Sequence, residues 1–140
     1  MSLVDALRQA VAAFNAHDPA GWAATYAGDT IVHDPFYPEP TRGRAGVEKD
    51  TADFIRAFPD ARMEIVGTPL AEGATVAAQF VVVGTHDGPL ATPEGDIAPT
   101  GRPVRLEGSV FTTVDEHGQA IDERRYYDVA GLLRQLGLRS

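Results

Sequence analysis

Near its C-terminal end the chain reads Glu123-Arg124-Arg125-Tyr126-Tyr127-Asp128, four charged residues and two tyrosines. Carbon-acid chemistry needs two groups: a base that takes a proton beside a carbonyl, and a donor that holds the developing enolate oxygen. Asp128, with Tyr126 two residues earlier, would place base and donor on one face of an extended strand. A carboxylate walled by apolar and aromatic groups gains proton affinity by desolvation, which makes it a better base and a usable acid. Asp directly before a helix is also a favoured N-cap. Asp128 therefore has two readings, a proton-transfer group or the cap of the helix that Val129-Ala130 and Leu132-Leu133 announce.

His33 is the second candidate. It ends a brief strand, Thr30-Ile31-Val32-His33, that faces Asp34-Pro35-Phe36-Tyr37-Pro38-Glu39-Pro40. As a neutral imidazole it can donate to a substrate carbonyl or relay a proton. Alternatively, His33 and Asp34 fix the loop through local hydrogen bonds, since Asp before Pro is a common turn starter. His86 ends a long apolar run and is expected to line the mouth of a pocket, while His17 and His117 are expected in solvent. Glu107 shares a strand face with Arg105, Ser109 and Phe111, opposite Val104, Leu106 and Val110. Turned inward, it is a second pocket carboxylate that pairs with Arg124; turned outward, it is an ordinary solvated charge, the commoner case. Trp22, Tyr26, Phe36, Tyr37, Phe54 and Phe58 are the candidate aromatic lining, with Phe36 and Tyr37 suited to a lid. No pair of ligands stands at a spacing such as His-x-x-x-His, so no metal site is expected.

The elements that must position these residues are ordinary ones. The chain has 140 residues, enough for a single domain over 1–140, and its hydrophobic and charged fractions of 44% and 23% are globular values. A formal net charge of −8 argues against nucleic acid and anionic membranes as partners and leaves a small, weakly charged molecule. Cysteine is absent, which removes disulfides and thiolate chemistry. The start shows no basic leader, and no stretch approaches the ~18 apolar residues of a span, so the chain reads as soluble and cytoplasmic.

Ser2-Leu3-Val4-Asp5 opens a helix with the apolar stripe Leu3, Leu7, Ala10, Val11, Phe14. Asp18-Pro19 opens a short second helix carrying Trp22 and Tyr26. A third runs from about Gly43 to Phe58, with Val47, Thr51, Phe54, Ile55 and Phe58 on one side and Glu48, Lys49, Asp53 and Arg56 on the other. Strands follow over Ala61–Gly67, Thr75–His86, Pro103–Val114 and Gln119–Asp128, with a Gly- and Pro-rich loop over Asp87–Arg102. A closing helix around Leu132-Leu133-Leu136 stops at Gly137. The pattern predicts an α+β fold: about three N-terminal helices against a mainly antiparallel sheet of four or five strands.

Several landmarks stand in order along nearly the whole chain. They are Phe14-Asn15-Ala16-His17-Asp18, Val32-His33-Asp34-Pro35, Arg42-Gly43-Arg44, Phe58-Pro59-Asp60, Gly84-Thr85-His86, Pro99-Thr100-Gly101-Arg102 and Tyr127-Asp128 with Gly131-Leu132-Leu133-Arg134-Gln135-Leu136-Gly137. In these the chain resembles the SnoaL-like polyketide cyclase, or ester cyclase, family of the nuclear transport factor 2-like superfamily. The resemblance implies a cone-shaped barrel of strongly curved sheet wrapped on the helices, and a homodimer formed through the sheet. It also implies aldol-type ring closure, or a related isomerisation, of a small hydrophobic carbonyl compound without metal or cofactor. Asp128 is similar to the family's acid/base aspartate, and His33 to its strand histidine. The fold hosts other roles as well. One is a non-catalytic ligand-binding or dimerisation module. Another is a limonene-type epoxide hydrolase, for which Glu107 or Arg124 would have to point inward.

Overall fold

The computed structural model describes residues 2–138. Ser2 accepts from the Asp5 amide at 3.0 Å and so caps α1 (Leu3–Asn15). Asp18 repeats the device for α2 (Pro19–Ala23), accepting from the Gly21 amide at 2.9 Å with Pro19 at the first helical position. The chain turns at Ala24-Thr25 into β1 (Tyr26–His33), so Tyr26 opens a strand and does not belong to the second helix as expected. After the proline loop come β2 (Thr41–Arg42) and α3 (Gly43–Ala57). Then follow β3 (Arg62–Glu72), β4 (Thr75–Thr85), β5 (Leu90–Thr92), β6 (Gly95–Ile97), β7 (Pro103–Val114), β8 (Ala120–Tyr127) and α4 (Val129–Gln135).

The main sheet has six strands in the order β2-β1-β8-β7-β4-β3, more than the sequence pattern suggested. The addition is β2, two residues long and too short to carry an alternation signal, while β1 extends the expected Thr30–His33 strand back to Tyr26. All pairings are antiparallel except β1 with β8, which run parallel. The Gly- and Pro-rich segment, expected as a plain loop, folds a separate β5-β6 hairpin. Register breaks in β1, β3 and β8 bend the sheet, and α1, α2 and α3 pack in its hollow. Asn15 fastens α1 to β3 through both ends of its amide: its Nδ2 donates to the Met63 carbonyl at 2.9 Å, and its Oδ1 accepts from the Met63 amide at 2.7 Å. Phe14, Trp22, Val32, Val47, Val82 and Leu106 form part of the buried core between the layers. No helix of the described residues is long and apolar enough to cross a membrane.

Cross-strand register decides which side chains face that hollow. In β7 the apolar Val104 and Leu106 are buried, so even-numbered residues point inward. Partners directly opposite in a ladder share a face. Tyr127 lies opposite Gly108, Arg125 opposite Val110 and Glu123 opposite Thr112, so the odd residues of β8 are the inward set. Tyr126 and Arg124 lie opposite Ser109 and Phe111 on the outer face.

Candidate active site

The helices and the inner sheet face enclose a cavity of about 140 Å³. Its walls are mostly apolar, with Val11, Phe14, Trp22, Phe54, Phe80 and Leu106 among them. One cluster interrupts them: Asp34, Tyr37, Asp50, Glu123, Arg125 and Tyr127. Arg125 is its centre. Its Nε donates to Glu123 Oε2 at 2.9 Å, and its Nη1 to Asp34 Oδ2 at 3.1 Å and to Asp50 Oδ2 at 3.3 Å. Its Nη2 donates to the Tyr26 hydroxyl at 3.3 Å. Two tyrosines complete the ring, Tyr37 donating to Asp50 Oδ1 and Tyr127 to Asp34 Oδ1, both at 2.5 Å. The side chains of Asp34, Glu123, Arg125 and Asp50 are only 8%, 7%, 15% and 17% exposed.

Four elements bring this ring together. Asp34 follows β1 and also accepts from the Phe36 amide at 2.9 Å, which holds the start of the proline loop. Asp50 sits on α3 three residues after Val47 and four before Phe54, on the helix stripe that faces the sheet. Glu123, Arg125 and Tyr127 are the inward set of β8. Tyr26, fully buried at the start of β1, closes the ring from behind by donating to Glu123 Oε2 at 2.6 Å.

The electrostatics are unbalanced. Three carboxylates surround one guanidinium, so the cluster is more negative than a low-dielectric site tolerates, and it tends to hold a proton. Burial raises the proton affinity of Asp50, and the nearby charge of Asp34 adds to the rise; Arg125 and the Tyr37 hydrogen bond oppose both without cancelling them. Burial would also pull the Arg125 proton off, but Tyr26, Glu123, Asp50 and Asp34 outweigh it and fix the guanidinium as a cation. Tyr37 and Tyr127 are pushed well above the ordinary tyrosine range, first by burial and then by the carboxylates they face, so both keep their protons as donors. The arrangement offers one carboxylate of enhanced basicity, two phenol donors and a fixed positive charge beside an apolar chamber.

The residues expected at the site divide into two groups. Trp22, Phe36, Tyr37 and Phe54 line the cavity. Tyr26 stands behind it, in the hydrogen-bonded ring. The rest lie elsewhere. Asp128 is 69% exposed and serves as the N-cap of α4, accepting from the Gly131 amide at 2.8 Å, with Arg134 Nη2 3.4 Å from its other oxygen. Tyr126 is 53% exposed and packs edge-on against Phe111 on the outer face, so it is no partner for a pocket base. Tyr127, expected to look away, is the tyrosine that faces in. His33 also points outward, 3.9 Å from Asp122, because the inward place at that strand end belongs to its neighbour Asp34. Glu107 is exposed beside Arg105. Phe58 is buried but lies behind the cavity wall, and His86 packs on it at 5.5 Å, fully buried and bonded to Thr100. Burial makes His86 harder to protonate.

Sequence reasoning missed Asp34, Asp50, Glu123 and Arg125 as site residues. One signal was present: Asp50 is a carboxylate at helical spacing inside the apolar stripe of α3, a place a solvated charge avoids. For β8 no such signal existed, because both faces of Glu123–Asp128 are equally polar.

The comparisons with known proteins agree with this architecture. A protein of known structure, a candidate polyketide cyclase from Pseudomonas putida KT2440, is 26% identical with a TM-score of 0.80, covering 96% of this chain and 98% of its own. IdmH, a candidate polyketide cyclase from Streptomyces antibioticus, is 25% identical at a TM-score of 0.76, with 98% and 99% covered. A protein of ketosteroid isomerase-like fold from Catenulispora acidiphila DSM 44928, at 17% identity, shares the fold alone, with a TM-score of 0.77 over 95% of this chain and 92% of that one. Among curated protein sequences none matches. The model of the SnoaL-like polyketide cyclases matches residues 4–136, and the chain belongs to that family.

Proposed function

We propose that this chain is a cofactor-free acid/base enzyme that acts on a small hydrophobic carbonyl compound, with Asp50 as the proton-transfer group. Family membership supports a role of the cyclase or isomerase type. The observation that carries the finer reading is the buried ring of three carboxylates around Arg125, set into an otherwise apolar cavity. Asp50 takes a proton from the carbon beside the substrate carbonyl, and the C–H electron pair moves into the new C=C bond. The carbonyl becomes an enolate oxygen. Tyr37, whose O–H the protonated Asp50 no longer requires, is then free to donate to that oxygen. In ring closure the enolate carbon attacks a second carbonyl, and Asp50 returns its proton to the oxygen formed there. In isomerisation the proton returns to a different carbon. This proposal moves the chemistry from Asp128 and His33, which lie outside the cavity, to Asp50.

The test needs no native substrate. α-Proton exchange of 2-tetralone in D₂O, followed by NMR, reads carbon-acid catalysis directly. Wild-type protein should accelerate the exchange, Asp50→Asn should lose about 100-fold or more of it, and Asp128→Asn should retain it. Exchange that survives Asp50→Asn, or disappears in Asp128→Asn, overturns the proposal.

A second reading, hydration of an epoxide, draws on the same ring, because Arg125 Nη1 binds Asp34 and Asp50 together. This supplies the second carboxylate and the arginine that Glu107 and Arg124, pointing outward, do not. Hydrolysis of limonene oxide that is lost in Asp34→Asn would favour it over carbonyl chemistry. We also propose a cytoplasmic homodimer formed through the outer sheet face, where Val83, Phe111 and Tyr126 are exposed. Sedimentation at monomer mass would refute the dimer.

A further inference from the structure

Glu123 is the buried carboxylate for which the proposed reaction has no step. It is 6% exposed, yet all its bonds are inward: Tyr26 donates to Oε2 at 2.6 Å, Arg125 Nε to the same oxygen at 2.9 Å, and Thr112 to Oε1 at 2.9 Å. Such investment in a group remote from the proton transfer needs a reason. Its geometry supplies one. Glu123 and Tyr26 grip the Nε and Nη2 edge of the guanidinium, which leaves Nη1 as the nitrogen aimed at Asp34 and Asp50.

We infer that Glu123 is a positioning residue for Asp50: it orients Arg125 and supplies the negative charge that strengthens Asp50 as a base. This rests on the proposed role of Asp50. Without Glu123, the ring would hold two carboxylates and one guanidinium, and Arg125 would spend its whole charge on Asp34 and Asp50. Both effects weaken the base. The groups facing the Asp34–Asp50 pair are Tyr37 and Asp34 itself from the proline loop, Asp53 with its partner Lys49 from α3, Glu123, Arg125 and Tyr127 from β8, and Tyr26 from β1. Of these, Glu123 is the fixed anion that touches Arg125 on the side away from the pair.

The experiment is a ¹³C NMR titration of the Asp carboxyls in wild type and Glu123→Gln, run beside the pH profile of 2-tetralone exchange. Glu123→Gln should shift the Asp50 transition, and the rising limb of the exchange profile with it, to lower pH. A merely structural glutamate would lower the exchange rate at all pH values and leave the transition in place. Should Glu123→Gln fail to fold, Glu123→Asp serves. It keeps the charge but shortens the side chain by one methylene, which withdraws the carboxylate from its 2.9 Å bond to Arg125 Nε, and it should shift the Asp50 transition in the same direction by less. An Asp50 transition that stays put or moves to higher pH overturns the inference while Asp50→Asn still abolishes exchange. Conversely, the acid-ward shift together with exchange unaffected by Asp50→Asn upholds the electrostatics and removes the reaction they were assigned to.

Discussion

Replacing Asp50 with Asn should raise the stability of the protein relative to wild type progressively as the pH increases. In the folded protein Asp50 holds its proton above the usual carboxylate range, because burial outweighs the pull of Arg125 and Tyr37. A group whose folded pKa lies above its unfolded value, about 3.9 for Asp, contributes stability that is complete below the unfolded value. That contribution is lost as the pH rises through the folded one. Within this window wild type loses up to about 1.4 kcal/mol per pH unit, and the Asn variant loses none from this source. Arg125 is not orphaned by the change, since Asp34 at 3.1 Å and Glu123 at 2.9 Å remain on it. For a chain of this length each kcal/mol corresponds to about 3–4 °C in Tm. Thermal and urea unfolding of both proteins from pH 4 to pH 9 gives the stability difference directly. It should grow above about pH 4 and then level off. If Asp50→Asn instead loses about 3–5 kcal/mol at neutral pH, the cost of breaking a buried ion pair, or if the difference stays flat, the charge accounting of the ring is wrong.

Three further outcomes are expected. Asp128→Ala removes the acceptor of the Gly131 amide and should cost about 1 kcal/mol in chemical denaturation, with 2-tetralone exchange untouched; a loss of exchange would return Asp128 to the chemistry. Asp60 accepts from the Thr85 amide at 2.7 Å and the Thr85 hydroxyl at 2.8 Å, and these bonds hold its carboxyl below the usual range. Its contribution is therefore present above the unfolded pKa and disappears as the pH falls through the folded one. The stability gap between wild type and Asp60→Asn should close as denaturation is repeated toward pH 2, and a gap independent of pH would refute this. Gly88→Ala drives a Cβ into the backbone carbonyl of Arg56, beside the Gly88 amide bond to the Ala57 carbonyl at 3.1 Å. With backbone on both sides of the clash, about 1–3 kcal/mol should be lost, and an unchanged urea midpoint would show that the turn yields.

How far the sequence could be read differs from element to element. The helix starts at Ser2 and Asp18 were legible because capping is local: the side chain bonds an amide three residues on, whatever the rest of the chain does. Helix α3 was legible because its apolar residues repeat at helical spacing. The β5-β6 hairpin was not, since Gly and Pro report a turn without reporting what pairs across it. Trp22, Phe36, Tyr37 and Phe54 were found as lining because large aromatics in a small core seldom lie far from its cavity.

The sequence by itself determined the helices, the longer strands and their order, the absence of thiol chemistry and the α+β class, all of which depend on composition and on spacing within a few residues. Only the tertiary structure decided the site. Side chains of a strand alternate, and a shift of one residue exchanges every inward group for an outward one. In Glu123–Asp128 both alternatives are polar, so periodicity carries no preference. The choice was made across the ladder by Val104 and Leu106 of β7, which are apolar and must be buried. That pairing turns Glu123, Arg125 and Tyr127 toward Asp34 and Asp50, which are 91 and 75 residues away from Arg125 along the chain, and leaves Asp128 to cap a helix.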